Sequence, residues 1–232
     1  MTAHHQPKAF AWKPWLRTLC NELVQDGGAH TVLLYGSRAN GSEDQDSDCD
    51  IAAFAPREDT GRDTRVVDGV FLDVFVYPEL VLLQQPASEF LKLRQSVVLV
   101  QRAQEADRFL QGLQALFAQG PPALPADEAR ARRSWAWKMV ARMERGDAEG
   151  HYRRAWLLTS LLEDYFALRG LWYEGPKKAL QCLGERDPAV AIALKSALQP
   201  GALPASIHHA VRLVAGDPPV TSRAAPSCPP RS

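Results

Sequence analysis

The sequence predicts an α+β chain: an N-terminal part with a mixed sheet flanked by helices, then a C-terminal helical bundle. Three observations carry this. Thr31-Val32-Leu33-Leu34-Tyr35 is an uninterrupted apolar run, as expected of a strand buried on both faces. Thr64–Tyr77 contains two strand-like runs split by Asp68-Gly69, a strong two-residue hairpin signal. After about residue 101 the strand signals stop and helical patterns take over.

In chain order, residues 8–25 read as a helix that stops at Gly27-Gly28. The strand at residues 31–35 runs directly into Gly36-Ser37, and Asp50–Ala55 reads as a second strand. A hairpin beside a buried strand implies a mixed sheet rather than a parallel one. Residues 103–119 are helical by pattern, Gly120-Pro121-Pro122 through Pro125 is a linker, and Asp127 is a plausible N-cap. Helices are expected over 127–146, 149–173, 176–184, 187–199 and 203–215. Domains are therefore placed at 1–100 and 101–215. Residues 216–232, with two Pro-Pro pairs, are expected to be a mobile tail. There is no internal repeat.

Composition narrows the function classes. The chain has 232 residues, 46% hydrophobic and 23% charged, with 27 basic and 27 acidic side chains. Zero net charge argues against coating nucleic acid by bulk charge. No apolar run approaches the ~20 residues of a membrane span, and no signal peptide is evident, so no membrane partner is expected. Cys20, Cys49, Cys182 and Cys228 are scattered and read as reduced thiols of a cytoplasmic protein. Neutrality hides an asymmetry, however. Residues 43–63 hold eight acids against two bases, and residues 130–154 hold eight bases against three acids. Two solvated faces would explain that; so would a cleft for a polyanion and its cations.

The chemistry concentrates in Tyr35-Gly36-Ser37-Arg38, Asp48-Cys49-Asp50-Ile51 and Phe71-Leu72-Asp73-Val74-Phe75. Residues two apart in a strand share a side, so Asp48 and Asp50 place two carboxylates together and turn Cys49 away. Asp73 lies in an apolar strand, where an unpaired carboxylate would cost several kcal/mol and a nearby cation removes the cost. Three carboxylates on adjacent strands form a hard oxygen site suited to Mg²⁺ and substrate phosphates. Gly36 lets backbone approach a phosphate, a helix starting at Ser37 would present free N–H groups, and Ser37 and Arg38 add a hydroxyl and a charge.

Each fragment alone is weak; the ordered set is specific. It resembles the nucleotidyltransferase superfamily of the polymerase-beta type. That signature is a hydrophobic residue with Gly-[Gly/Ser], a spacer of nine to thirteen residues, Asp-hydrophobic-[Asp/Glu]-hydrophobic, and a later acid on a strand. Tyr35-Gly36-Ser37, Asp48-Cys49-Asp50-Ile51 and Asp73 match it, with Cys49 a mild departure at a hydrophobic slot. The Gly36-Ser37-Arg38-Ala39-x-Gly41 form is similar to the bacterial branch of minimal, aminoglycoside and lincosamide nucleotidyltransferases. The resemblance covers residues 30–77. It implies a nucleotidyltransferase domain at 1–100, an NTP substrate, Mg²⁺ held by Asp48, Asp50 and Asp73, and transfer of a nucleoside monophosphate to a hydroxyl with release of pyrophosphate.

The acceptor would be chosen by the helical part. A small hydroxylated molecule, such as an aminoglycoside-like antibiotic, is the leading expectation. A protein or tRNA acceptor, as in toxin–antitoxin systems, and a non-catalytic nucleotide-binding module are the alternatives. Leu157, Leu161, Tyr165, Leu168 and Trp172 form an apolar helical face, with Asp164 on or beside it. Asp164 is either paired to an arginine in the bundle or a general base for the acceptor hydroxyl; Glu163 points away. Lys177 and Lys178 follow Pro176 at a helix start, where the dipole disfavours cations. They are either solvated or contacts for the triphosphate. Trp135, Trp137, Trp156 and Trp172 would stack on a base or sugar, though aromatics at helical spacing are more often core. His4-His5 and His208-His209 read as surface residues.

Overall fold

A computed structural model describes residues 13–218, and it is α+β with a mixed sheet. The described residues divide into two compact units, the first ending at Gln119 and the second beginning at Gly120. The first opens with α1 (Pro14–Gln25), started by Pro14 and burying Leu16, Leu19, Cys20 and Leu23 at helical spacing. Residues 8–12 of the expected helix lie outside the described residues. The remaining elements are β1 (Thr31–Tyr35), the single-turn α2 (Ser37–Asn40), β2 (Cys49–Ala55), β3 (Gly61–Val67) and β4 (Val70–Pro78). After them come α3 (Leu80–Leu83), a 3₁₀ helix over Ser88–Leu93, β5 (Val97–Val100) and α4 (Glu105–Gln119).

Among the described residues five strands form one sheet in the order β3-β4-β2-β1-β5. β2 and β4 are parallel; the other neighbours are antiparallel. The β3–β4 turn has Asp68 and Gly69 at φ 51° and 77°, the left-handed pair that a tight hairpin requires. Side-chain alternation then sorts the sheet. Val32, Leu34, Cys49, Ile51, Ala53, Leu72 and Val74 pack with the buried face of α1. The opposite face carries Tyr35, Asp50, Phe54, Asp73, Phe75 and Tyr77. There Phe109 of α4 meets Phe54 and Phe90, with ring centroids 5.9 and 6.0 Å away.

Helix α4 thus belongs with the sheet, and the division falls after Gln119 rather than after residue 100 as read from sequence. Amphipathic spacing marks the helix but not which core takes Phe109 and Leu113. β5 carries no turn signal of its own and was not foreseen.

The second unit comprises α5 (Ala126–Met143), α6 (Ala148–Ala167), α7 (Pro176–Arg186), α8 (Pro188–Leu198) and α9 (Pro204–Ala215). Its core holds Met139, Leu157, Leu161, Tyr165, Leu183, Leu194 and Val211. Asp147 and Asp187 cap α6 and α8, accepting hydrogen bonds from Gly150 N (2.7 Å) and Val190 N (3.2 Å). Asp127 is not a cap: α5 starts at Ala126, so Asp127 stands in the first turn, where the dipole favours it. α6 ends at Ala167, leaving Trp172 beyond the helix. Residues 219–232 of the expected tail lie outside the described residues. Among the described residues no helix is long and apolar enough to cross a membrane.

Candidate functional site

Asp50 and Asp73 are register partners on the parallel strands β2 and β4, so their carboxylates leave the same face side by side. Both are half-buried. Asp48 stands one residue ahead of β2 and is exposed. Burial raises the Asp50 carboxyl above the ordinary range, and the charges of Asp73 and then Asp48 raise it further, while Lys92 opposes them. The three acids therefore feel one another, but they are not drawn into one cluster. Among the described residues no group of three His, Cys, Asp or Glu is close enough to form a metal centre.

The cation expected beside Asp73 is present, and it belongs to the protein. Arg62 Nε and Nη2 donate to Asp73 Oδ1 and Oδ2 at 2.8 and 3.0 Å, a two-pronged pair. The Arg62 side chain is 56% exposed and lies 4.9 Å from the Phe75 ring centroid. Lys92, from the 3₁₀ helix, puts its Nζ 4.7 Å from the Phe75 ring and 5.5 Å from that of Tyr35. Tyr35 pairs with Asp50 across β1 and β2, and burial followed by the Asp50 charge pushes its hydroxyl up. Sequence reasoning placed Tyr35 in the motif without a role of its own and missed Arg62 and Lys92 as partners of the acids. The Asp68-Gly69 turn fixes the β3–β4 register and would have revealed Arg62 opposite Phe75. Nothing local foretells Lys92.

Gly36 adjoins the acids for a geometric reason. Its φ is 74°, a region that side-chain-bearing residues avoid, and a Cβ there would collide with Oδ2 of Asp50 and lie 3.1 Å from its Cγ. Ser37 begins α2, which is one turn long, so it contributes a few free N–H groups rather than a long-helix dipole. Arg38 is engaged elsewhere than foreseen. Its Nε and Nη2 donate to the carbonyls of Asp48 (3.0 Å) and Ser47 (2.6 Å), which pins the peptide leading into β2. Cys49, at 0% exposure, packs into the α1-side core as expected of a residue turned away from the acids.

In the second unit Asp164 is 4% exposed and accepts a 2.8 Å hydrogen bond from Arg132 Nη1. Arg132 also pairs with Glu128 at 2.9 Å. Of the two roles the sequence left open, the ion pair is the one displayed. Burial still raises the Asp164 carboxyl, with Arg132 opposing. Leu157, Leu161 and Tyr165 are buried beside it, and Glu163 is exposed. Lys178, in the first turn of α7, pairs with Glu174 at 3.1 Å, so a carboxylate four residues back answers the dipole conflict there. Lys177 is exposed.

No protein-family model matches the chain, and no curated protein matches its sequence. Among solved structures, a crystal structure of a nucleotidyltransferase-like protein from Exiguobacterium sibiricum is similar. It is 12% identical, with a TM-score of 0.40 over 86% of this chain and 75% of that one.

Proposed function

We propose that the chain is a nucleotidyltransferase that moves a nucleoside monophosphate from an NTP to a hydroxyl of a small molecule and releases pyrophosphate. One observation carries the reading: the Asp50–Asp73 register pair, with Gly36 folded so closely against Asp50 that no other residue fits. Two carboxylates held adjacent and half-buried oppose one another, and a protein keeps such a pair at a cost to stability where chemistry uses it.

The donor set fits Mg²⁺. It is all carboxylate, its charge is only partly answered by Arg62 and Lys92, and the Arg62 side chain is exposed enough to yield. Asp50 and Asp73 would hold the ion, with Asp48 joining from the rim. Bound there, Mg²⁺ would supply positive charge to the α-phosphate and acidify the acceptor hydroxyl. The protein's part is positional. Gly36 leaves room for phosphate oxygens, the Ser37 hydroxyl and the α2 N–H groups donate to them, and Arg38 fixes the Asp48 peptide. The acceptor oxygen bonds to the α-phosphorus as the bond to the α,β-bridging oxygen breaks. Pyrophosphate leaves with that electron pair, and the hydroxyl proton passes to a base.

A small acceptor is favoured over tRNA because most of the basic run at 130–154 is used internally. Arg132, Arg145 and Arg153 pair with Glu128, Asp164 and Glu149, and Arg133 and Arg154 donate to the carbonyls of Ala215 and Ala197. The test is labelled ATP, GTP, CTP and UTP with Mg²⁺, offered aminoglycosides, lincosamides, tRNA and cell lysate, beside Asp48→Asn and Asp50→Asn. Label should pass to a small acceptor with the wild type and fall at least ~100-fold with Asp50→Asn. Equal transfer by the variants rejects the metal assignment, and no transfer to any acceptor rejects the enzyme.

A further inference from the structure

The second unit has a pocket of its own that the reaction above does not use. It lies between α5 and α6, and its volume is about 330 Å³. That is at the lower end of the ~300–1,000 Å³ range of small-molecule sites. Helical spacing builds it: Glu128, Arg132 and Trp135 stand three or four apart on α5, and Trp156, Glu163 and Asp164 share a face of α6.

The lining has two kinds of chemistry. Trp135 and Trp156 meet edge to face, with centroids 5.3 Å apart at 66°. Trp156 remains 44% exposed, an indole that packing has not consumed. Three carboxylates face one guanidinium. Arg132 is shared by Glu128 and Asp164, while Glu163 forms no ion pair among the described residues, so the lining carries two negative charges in excess. Trp156 already accepts one cation outside the lining: the guanidinium of Arg153, which Glu149 holds, sits 5.6 Å from its ring.

We infer that this pocket binds a small organic ammonium compound, its ring or chain lying on the indoles and its charged nitrogen directed to Glu163. An anion would meet the excess carboxylates. A neutral polyol would gain the stacking but leave Glu163 unanswered. Only a cation with an apolar body uses both features, and in such a site the aromatic and ionic contributions reinforce one another. The inference stands whether or not the chain transfers nucleotides, because the pocket lies wholly within the helical unit.

The test uses the full chain, titrated at neutral pH and followed by tryptophan fluorescence and calorimetry. The probe is trans-4-aminocyclohexanol, with cyclohexane-1,4-diol as its uncharged match. The amine should bind saturably and at least ~10-fold tighter than the diol. Glu163→Gln and Trp156→Leu should each weaken the amine ~3- to 10-fold while leaving the far-ultraviolet circular dichroism unchanged, and Glu163→Gln should leave the melting curve unchanged as well. Three results overturn the inference: equal binding of amine and diol, binding by neither, or amine binding that both substitutions leave intact.

Discussion

Asp50 is where function and stability oppose each other most directly. Its carboxyl is raised by burial and by two like charges, so folding favours the protonated form. A raised acid stabilises the fold below its unfolded value, near 4, and that contribution is lost as the pH rises through the folded value. At neutral pH the ionised Asp50 therefore opposes folding. Asp50→Asn should melt no lower than the wild type at pH 7, with a gain of up to ~1 kcal/mol, even as transfer disappears. The gain should shrink as the pH is lowered; a variant that melts several degrees lower would mean that the acid is structural. The buried thiols follow the same sign. Burial pushes Cys20 up to about 11 and Cys49 up to about 12, so their neutral forms stabilise the fold until the pH climbs past ~8.5 toward those values. A thiol reagent at neutral pH should label the exposed Cys182 within minutes and reach Cys20 and Cys49 only on unfolding, which mass spectrometry of timed digests reads directly.

Strands and turns bring those side chains together, and here the sequence was partly transparent. A two-residue period separated the Cys49 face from the Asp50 face, and Asp68-Gly69 set the β3–β4 hairpin. The β2–β4 register was not legible. No tight turn joins parallel strands, so nothing in the sequence sets Asp50 opposite Asp73 rather than Phe71 or Phe75. The same limit hid Lys92, delivered by a 3₁₀ helix that has no periodicity to read, and the loyalty of α4, which Phe109 decides by finding Phe54 and Phe90. The corner at Gly36 tests whether the junction of β1 and α2 is as tight as its geometry. Gly36→Ala must strain a backbone at φ 74° and push the Asp50 carboxylate aside. It should cost ~1–3 kcal/mol in urea unfolding and weaken nucleotide binding together. Normal stability and normal binding would show that the acids and the corner are independent.

Two separate cores imply that the halves of the chain need not melt as one. One core joins α1 to the sheet; the other joins α5 to α9, and Trp135, Trp137, Trp156 and Trp172 all lie in the second unit. Tryptophan emission is therefore weighted toward the helical unit, and ligand binding at the acids toward the sheet unit. The Arg132–Asp164 pair makes use of this difference. Removing one partner of a buried pair orphans the other charge, at ~3–5 kcal/mol when both are buried. The Arg132 side chain is 34% exposed and leaves water a route to Asp164, which lowers the figure to ~1–3 kcal/mol. Arg132→Ala should move the fluorescence-detected transition down while nucleotide affinity, measured well below that transition, holds. Adding Asp164→Asn should restore most of the loss, because the cost comes from the stranded carboxylate and not from missing packing. If the double variant melts as low as the single one, Arg132 contributes through its aliphatic stem. If nucleotide affinity falls in step with the fluorescence, the two cores are energetically one.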